Sequence, residues 1–205
     1  LAPNATIIVM INGYGVQQQI EKHFSQYNLL FASTTDGAYK SAPFKTVKAA
    51  TGTTLIGSLS RSQSIKTSPL VDATLTDAID DVIWKKVAIN CCINPITAIN
   101  NCLNGAIFAT NERSHTVFQL AEEIESLEHA MGIKRQKPLL QEVKQVAELT
   151  ASNRSSMLQD VSNGRLTEVE HINGAIVHLA KNYGVEVPYN LEMLNTVQNL
   201  TLATR

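Results

Sequence analysis

An α/β domain built on part of a doubly wound parallel sheet, followed by an all-α domain, is the fold class predicted by three observations. Thr6-Ile7-Ile8-Val9-Met10-Ile11 is continuously apolar after its first residue, the pattern of a strand covered on both faces. Residues 51–69, TGTTLIGSLSRSQSIKTSP, are rich in Ser and Thr and punctuated by Gly and Pro, as a strand end running into a linker would be. Beyond them apolar residues recur at helical spacing almost to the end.

The first strand needs neighbours, and 29–34, 46–50 and 53–56 supply them. Together these make at most an edge-ward half of a doubly wound sheet, so the chain is expected to lack the first strands of its domain. The domains expected are 1–76 and 77–205. Helices are predicted over about 75–99, over 114–131 with Gly132 closing the last turn, from Pro138 onward and over 155–161. Two more run from about Thr167 to Tyr183, ended by Gly184, and after Pro188. In the first of these, Val169, Ile172, Ile176, Leu179 and Tyr183 share one face.

Composition narrows the function. The 205 residues are 44% hydrophobic and 17% charged with a formal net charge of -1, enough apolar material for a substantial core. No basic run exceeds Lys134-Arg135, so neither nucleic acid nor an anionic membrane is an expected partner. No apolar stretch approaches the roughly 20 residues of a membrane span. Cys91, Cys92 and Cys102 are odd in number and fit neither a disulfide framework nor a CxxC metal site, which favours reduced thiols and a cytoplasmic location.

The chemistry concentrates on one helix. Lys86, Asn90 and Asn94 are four residues apart and fall within an arc of about 80°. Ile83, Trp84, Val87, Ala88, Ile89, Cys91, Cys92, Ile93 and Ile96 surround them, so the three form a polar seam on an otherwise apolar helix. The plainer reading has the amides satisfying internal hydrogen bonds and the lysine reaching out to water. Pro95 cannot donate to the carbonyl one turn back, which predicts a kink or an end just past the seam, and Asn104-Gly105 supplies a turn that adds a further amide. Ammonium and carboxamides together suit a small oxygen-rich acid. If a ketone of that acid accepted hydride, lysine would stabilise the alkoxide and deliver a proton.

Four stretches carry a more specific likeness: Asn12-Gly13-Tyr14-Gly15, Trp84 to Asn90 continuing through Asn94-Pro95-Ile96-Thr97-Ala98, Asn104-Gly105, and Ser155 to Asp160 with Gly164-Arg165-Leu166-Thr167-Glu168. In these the chain resembles the ketopantoate reductase (2-dehydropantoate 2-reductase) family. The resemblance implies a Rossmann-type nucleotide-binding domain and a helical domain like the C-terminal domain of 6-phosphogluconate dehydrogenase. It also implies NADPH-dependent reduction of 2-dehydropantoate to pantoate in pantothenate and coenzyme A biosynthesis. By the same resemblance Lys86 is the catalytic proton donor, and Asn12, Asn90, Asn94, Asn104 and Ser156 hold the substrate. Asn12, Ala38 in the turn of residues 34–38, and Glu168 meet the cofactor. No metal is implied, and a homodimer is the candidate assembly. For Glu168 and Ser156 the plainer roles are a helix-start acid and a helix-start hydroxyl.

The family's glycine-rich phosphate turn is expected to be missing because the chain begins too late to include it, and Gly13-x-Gly15 is no substitute, since Gln18 stands where a third glycine would be needed. An alternative is therefore an inactive helical module that only binds or dimerises. A rival of another class is a di-iron carboxylate bundle, built on the E-x-x-H spacings Glu112/His115 and Glu168/His171 with Glu123 or Glu142. His23, His129 and His178 lack ligand spacing and are expected at the surface or half-buried, while Leu120, Ile124, Leu127 and Met131 are expected in the core.

Overall fold

A computed structural model describes residue 2 and residues 5–59 and 72–203. In chain order the elements of the first part are β1 (Thr6–Val9), α1 (Val16–His23), β2 (Asn28–Thr34), β3 (Gly37–Ala42), β4 (Lys45–Ala50), β5 (Thr54–Gly57) and β6 (Ala73–Leu75). Then come α2 (Ile79–Asn100), α3 (Asn111–Met131), α4 (Leu139–Leu149), α5 (Ser156–Ser162), α6 (Asn173–Tyr183) and α7 (Pro188–Ala203). Short 3₁₀ turns lie at Asn104–Phe108 and Val169–His171. The chain divides into two compact units, Leu1–Trp84 and Lys85–Arg205, and the division falls inside α2.

In the first unit four strands form a sheet in the order β1-β2-β5-β6. β1 pairs parallel with β2 and β5 parallel with β6, whereas β2 and β5 are antiparallel. Alternate residues of β2 feed opposite faces, as the two-residue period of a strand requires. Leu29 and Phe31 pack with Ile79 and Ile83, joined by Ile7, Val9 and Ile20. Leu30 and Ala32 pack with Ile56, joined by Ile8, Ala73 and Leu75. The doubly covered strand is thus β2. β1, expected to be interior, is the edge of the described sheet, with Ile7, Ile8 and Val9 only half-buried, because β2 is its single neighbour.

The 46–50 segment, expected in the main sheet, lies in β4, which pairs only with β3 as a separate antiparallel hairpin. Ala38, expected in a turn, belongs to β3 and stands opposite Lys48. The predicted helix start at 75 is occupied by β6, and α2 begins four residues later. Most of the expected linker lies outside the described residues. The start of α2 belongs to the first unit, where Tyr14 donates its hydroxyl to Asp80 at 3.0 Å and meets Trp84 edge-on at 5.1 Å between ring centres.

The second unit packs helices about α3, which meets α4, α6 and α7. Val117, Leu120, Ile124 and Leu127 of α3 are buried, as are Leu139, Val143 and Ala147 of α4 and Ile176, Ala180 and Val197 of α6 and α7. Thr110 caps α3, accepting from the Arg113 amide at 3.2 Å, and Gly132 ends it in the left-handed region at φ 76°. The helix expected from Thr167 is split. Val169–His171 is a 3₁₀ turn, Ile172 leaves helical geometry at ψ -91°, and only then does α6 begin, so Val169, Ile172 and Ile176 are buried while Tyr183 is exposed.

Two helices take their first-turn acceptor from α3. Glu125 accepts the Leu139 amide of α4, and Glu123 accepts the Tyr189 and Asn190 amides of α7 at 2.7 and 2.9 Å. Carboxylates there answer both the orphan N–H groups and the positive end of the helix. Arg135 joins α3 to α4 by ion-pairing with Glu128 and Glu142.

Candidate functional site

In the first unit the chain leaves β1 through Asn12, half-buried, and enters α1 across Gly13 and Gly15, both with left-handed φ (96° and 90°). A Cβ at Gly15 would meet no atom within 4 Å, and no side chain caps α1, so bare backbone and open space face its N-terminus. Gln17 is buried and donates its amide to the Gly13 carbonyl at 2.9 Å, which fixes the turn from behind. Ala38, on β3, is exposed.

In the second unit α2 carries Lys86 and Asn90, half-buried, and Asn94, only 6% exposed, while Val87, Ala88, Cys91, Cys92, Ile93 and Ile96 are buried around them. The seam is therefore a polar line through an apolar helix. Burial pulls the Lys86 ammonium below its usual range, and the negative charge of Glu168 partly holds it up. Glu168 is half-buried just before the 3₁₀ turn at Val169. It keeps the helix-start position expected of it, without a side-chain cap bond, and its charge also acts on Lys86.

Pro95 neither kinks α2 to a stop nor ends it. The helix continues to Asn100, and Asn101 closes it in the left-handed region at φ 44° while the Cys102 amide donates to the Thr97 carbonyl at 3.1 Å. The chain then doubles back. The Asn104 and Gly105 amides donate to the Asn153 and Ala151 carbonyls at 3.0 and 3.1 Å. Gly105 is required for this approach, because a Cβ on it would lie 2.7 Å from the Ala151 Cβ and 3.0 Å from its Cα.

The Asn104 amide has a determined orientation. Thr150 Oγ1 donates to the Val146 carbonyl at 2.7 Å, so its single proton is committed and it can only accept from Asn104 Nδ2 at 2.9 Å. Asn104 Oδ1 is left buried without a hydrogen-bond partner, an acceptor that awaits a donor.

Three residues missed from the sequence tie these parts together. Thr97 donates to the Asn94 carbonyl at 2.8 Å and meets the Ser155 hydroxyl at 2.6 Å. Ser155 caps α5 by accepting the Leu158 amide at 3.0 Å. Ser156 is thus not the cap. It is the exposed first residue of α5, carried one position past a serine that is anchored one turn beyond Asn94. The Ser-Ser pair before an apolar run was the available signal, and it pointed to a cap without saying which serine. Thr150, the third, held no signal of its own.

The carboxylates of the di-iron alternative are otherwise engaged. Glu123 caps α7, Glu142 pairs with Arg135, and Glu112 stands in the first turn of α3. Among the described residues no three His, Cys, Asp or Glu side chains group as a metal site would require. His23, His129 and His178 are exposed. Leu120, Ile124 and Leu127 are buried, with Met131 half-buried at the end of α3. Among the described residues, no helix is long and apolar enough to cross a membrane.

Comparison with known proteins bears on the same residues. Residues 78–201 match the family model described as "Ketopantoate reductase PanE/ApbA C terminal", and residues 1–61 match "Ketopantoate reductase PanE/ApbA". A protein of Vibrio cholerae named 2-dehydropantoate 2-reductase is 31% identical over 202 residues, covering 95% of this chain and 68% of its own. One of Archaeoglobus fulgidus with the same name is 34% identical over 197 residues, covering 92% and 66%. Thus the chain spans about two thirds of the length of these relatives. A PanE/ApbA family ketopantoate reductase of Ralstonia eutropha superposes with a TM-score of 0.86 at 20% identity, over 100% of this chain and 69% of that one. A D-mandelate dehydrogenase in complex with NADH superposes equally well, at 0.86 and 24% identity, over 97% and 77%. These similarities establish the fold: part of a Rossmann-type sheet followed by a helical domain.

Proposed function

Because this chain belongs to the ketopantoate reductase family, we propose that it serves the NADPH-dependent reduction of 2-dehydropantoate to pantoate. The observation that carries this reading is Lys86: a half-buried ammonium with a lowered proton affinity, aligned on one helix face with Asn90 and Asn94. When bound, a reduced nicotinamide would supply the hydride for the ketone carbon. Everything else falls to the protein. Lys86 donates to the ketone oxygen, stabilises the negative charge that develops there and hands it a proton. The lowered affinity brings Lys86 nearer to the working pH and eases that transfer.

Asn90, Asn94 and Ser156 are proposed to present donors to the carboxylate without the repulsion an acid would add. Asn104 Oδ1, buried and unpartnered, can only accept, so it is assigned to a hydroxyl of the substrate and not to the carboxylate. Asn12, Ala38 and Glu168 are the residues proposed to hold the nicotinamide dinucleotide. The glycine turn at Gly13 and Gly15 fits such a ligand, with bare backbone and open space at the N-terminus of α1. The sequence contains no G-x-G-x-x-G, so these residues account for one end of the dinucleotide only.

The homologous fold seen with NADH makes the choice of NADPH a separate question, which Michaelis constants for the two cofactors answer. Assembly as a homodimer is part of the proposal, supported by a ketopantoate reductase of Staphylococcus aureus described as dimeric, and is read by light scattering. A cytoplasmic location fits Cys91, Cys92 and Cys102, all free thiols. The decisive experiment follows NADPH oxidation with 2-dehydropantoate in Lys86→Ala, where kcat is expected to fall by about 10²-fold or more. Undiminished turnover overturns the assignment.

A further inference from the structure

We infer that Asn173 is a positioning residue for the substrate-gripping turn of α2, its amide standing in for the N–H that Pro95 lacks. The inference rests on the assignment of Asn90 and Asn94 to the site.

Within a helix, the amide of residue 95 would donate to the carbonyl of residue 91. Proline has no such donor, and its ring crowds that carbonyl. Cys91 is fully buried, so no bulk water can repair the loss. In its place Asn173 Nδ2, the first side chain of α6, donates to the Cys91 carbonyl at 3.2 Å across 82 residues of sequence. That carbonyl follows Asn90 directly and lies one turn from Asn94, so whatever sets it sets the direction in which both amides emerge.

The orientation of Asn173 is itself imposed from a distance. Glu123 accepts from Asn190 Nδ2 at 2.8 Å, which obliges Asn190 to turn its oxygen the other way. Asn190 Oδ1 accepts from Asn173 Nδ2 at 3.0 Å, which obliges Asn173 to present its NH₂ to both neighbours. A carboxylate on α3 thus fixes two amides in series, on α7 and α6, and delivers a donor to the gap in α2. Asn173 and Asn190 are fully buried and Glu123 nearly so, so none of the three can exchange this partner for bulk solvent. Asn173 Oδ1 is left without a partner, a cost that the arrangement accepts to keep both protons of Nδ2 directed as they are.

Pro95 makes the idea separable from a merely structural role. The test measures affinity for 2-dehydropantoate by calorimetry and thermal unfolding of Asn173→Ala, Pro95→Ala, the double variant and Asn94→Ala. Asn173→Ala is expected to weaken binding about tenfold, whereas the same replacement in the Pro95→Ala background, where residue 95 regains its N–H, weakens it less than twofold. If Asn173→Ala folds only in the Pro95→Ala background, the link is equally supported. Equal losses of affinity in the two backgrounds, no loss in either, or failure to fold in both would overturn the inference. If the unsubstituted chain does not bind the ketoacid, or Asn94→Ala binds it unchanged, it is the site assignment that falls, and this inference with it.

Discussion

Ser155 donates its hydroxyl proton to Thr97 Oγ1 across 2.6 Å, because the single proton of Thr97 is already given to the Asn94 carbonyl. The chain of donors runs from the Leu158 amide through Ser155 and Thr97 to Asn94, and both hydroxyls are buried. It fastens the start of α5 to the polar seam of α2.

Replacing Thr97 by valine keeps the shape and removes the two links of that chain that Thr97 makes. Thr97→Val is expected to cost about 1–3 kcal/mol in denaturant unfolding, since the Ser155 hydroxyl and the Asn94 carbonyl lose their partner in a buried place. Because α5 also carries Ser156, the KM for 2-dehydropantoate should rise in the same variant, which steady-state kinetics would check.

The pH dependence follows from the two influences on Lys86. Lys86 is proposed to act in its protonated form, so activity should fall as pH rises through the affinity of this ammonium, which burial sets below the usual lysine range. Glu168 raises that affinity. Glu168→Gln removes the support, so the alkaline limb of log kcat/KM against pH should move to lower pH. An unmoved limb would uncouple the pair.

Gly105→Ala places a methyl group 2.7 Å from the Ala151 Cβ, with the Ala151 backbone directly behind it. The two strands of chain must separate, disturbing the Asn104 bond to Asn153 and the one from its side chain to Thr150. A loss of about 1–3 kcal/mol on unfolding and weaker binding of the substrate are expected together.

Burial pushes the Cys91 and Cys92 thiols far up in pKa, so neither forms a thiolate near neutral pH. Cys102 is half-buried. A bulky aromatic disulfide reagent should therefore modify one thiol quickly in the folded protein and all three only after denaturation.

What could be read in advance, and what could not, divides by the range of the interaction involved. The seam of Lys86, Asn90 and Asn94 was legible because a helix fixes spacing and direction, and Gly132 and Gly184 marked helix ends for the same local reason. Helix α1 was not visible, since Val16 and Ile20 are its only large apolar residues and Ile20 is covered through its packing against β2 and α2. The three residues of β6 are too few for an alternation to show, and the β3–β4 pairing had no apolar pattern to announce it. Nor could the sequence disclose that the missing donor at Pro95 is replaced from α6, or that Glu123 and Glu125 serve other helices. Those partners meet only once the fold exists.

Helices α4 and α7 open beside Pro138 and Pro188, and the caps on their first turns come from Glu125 and Glu123. Neither is equipped to start by itself, and a peptide cut from either segment should fray at its leading end. The helical unit consequently has little scope for piecemeal assembly. Damage to α3 anywhere along its middle would loosen two distant termini in a single event, and the region should open and close as one cooperative block.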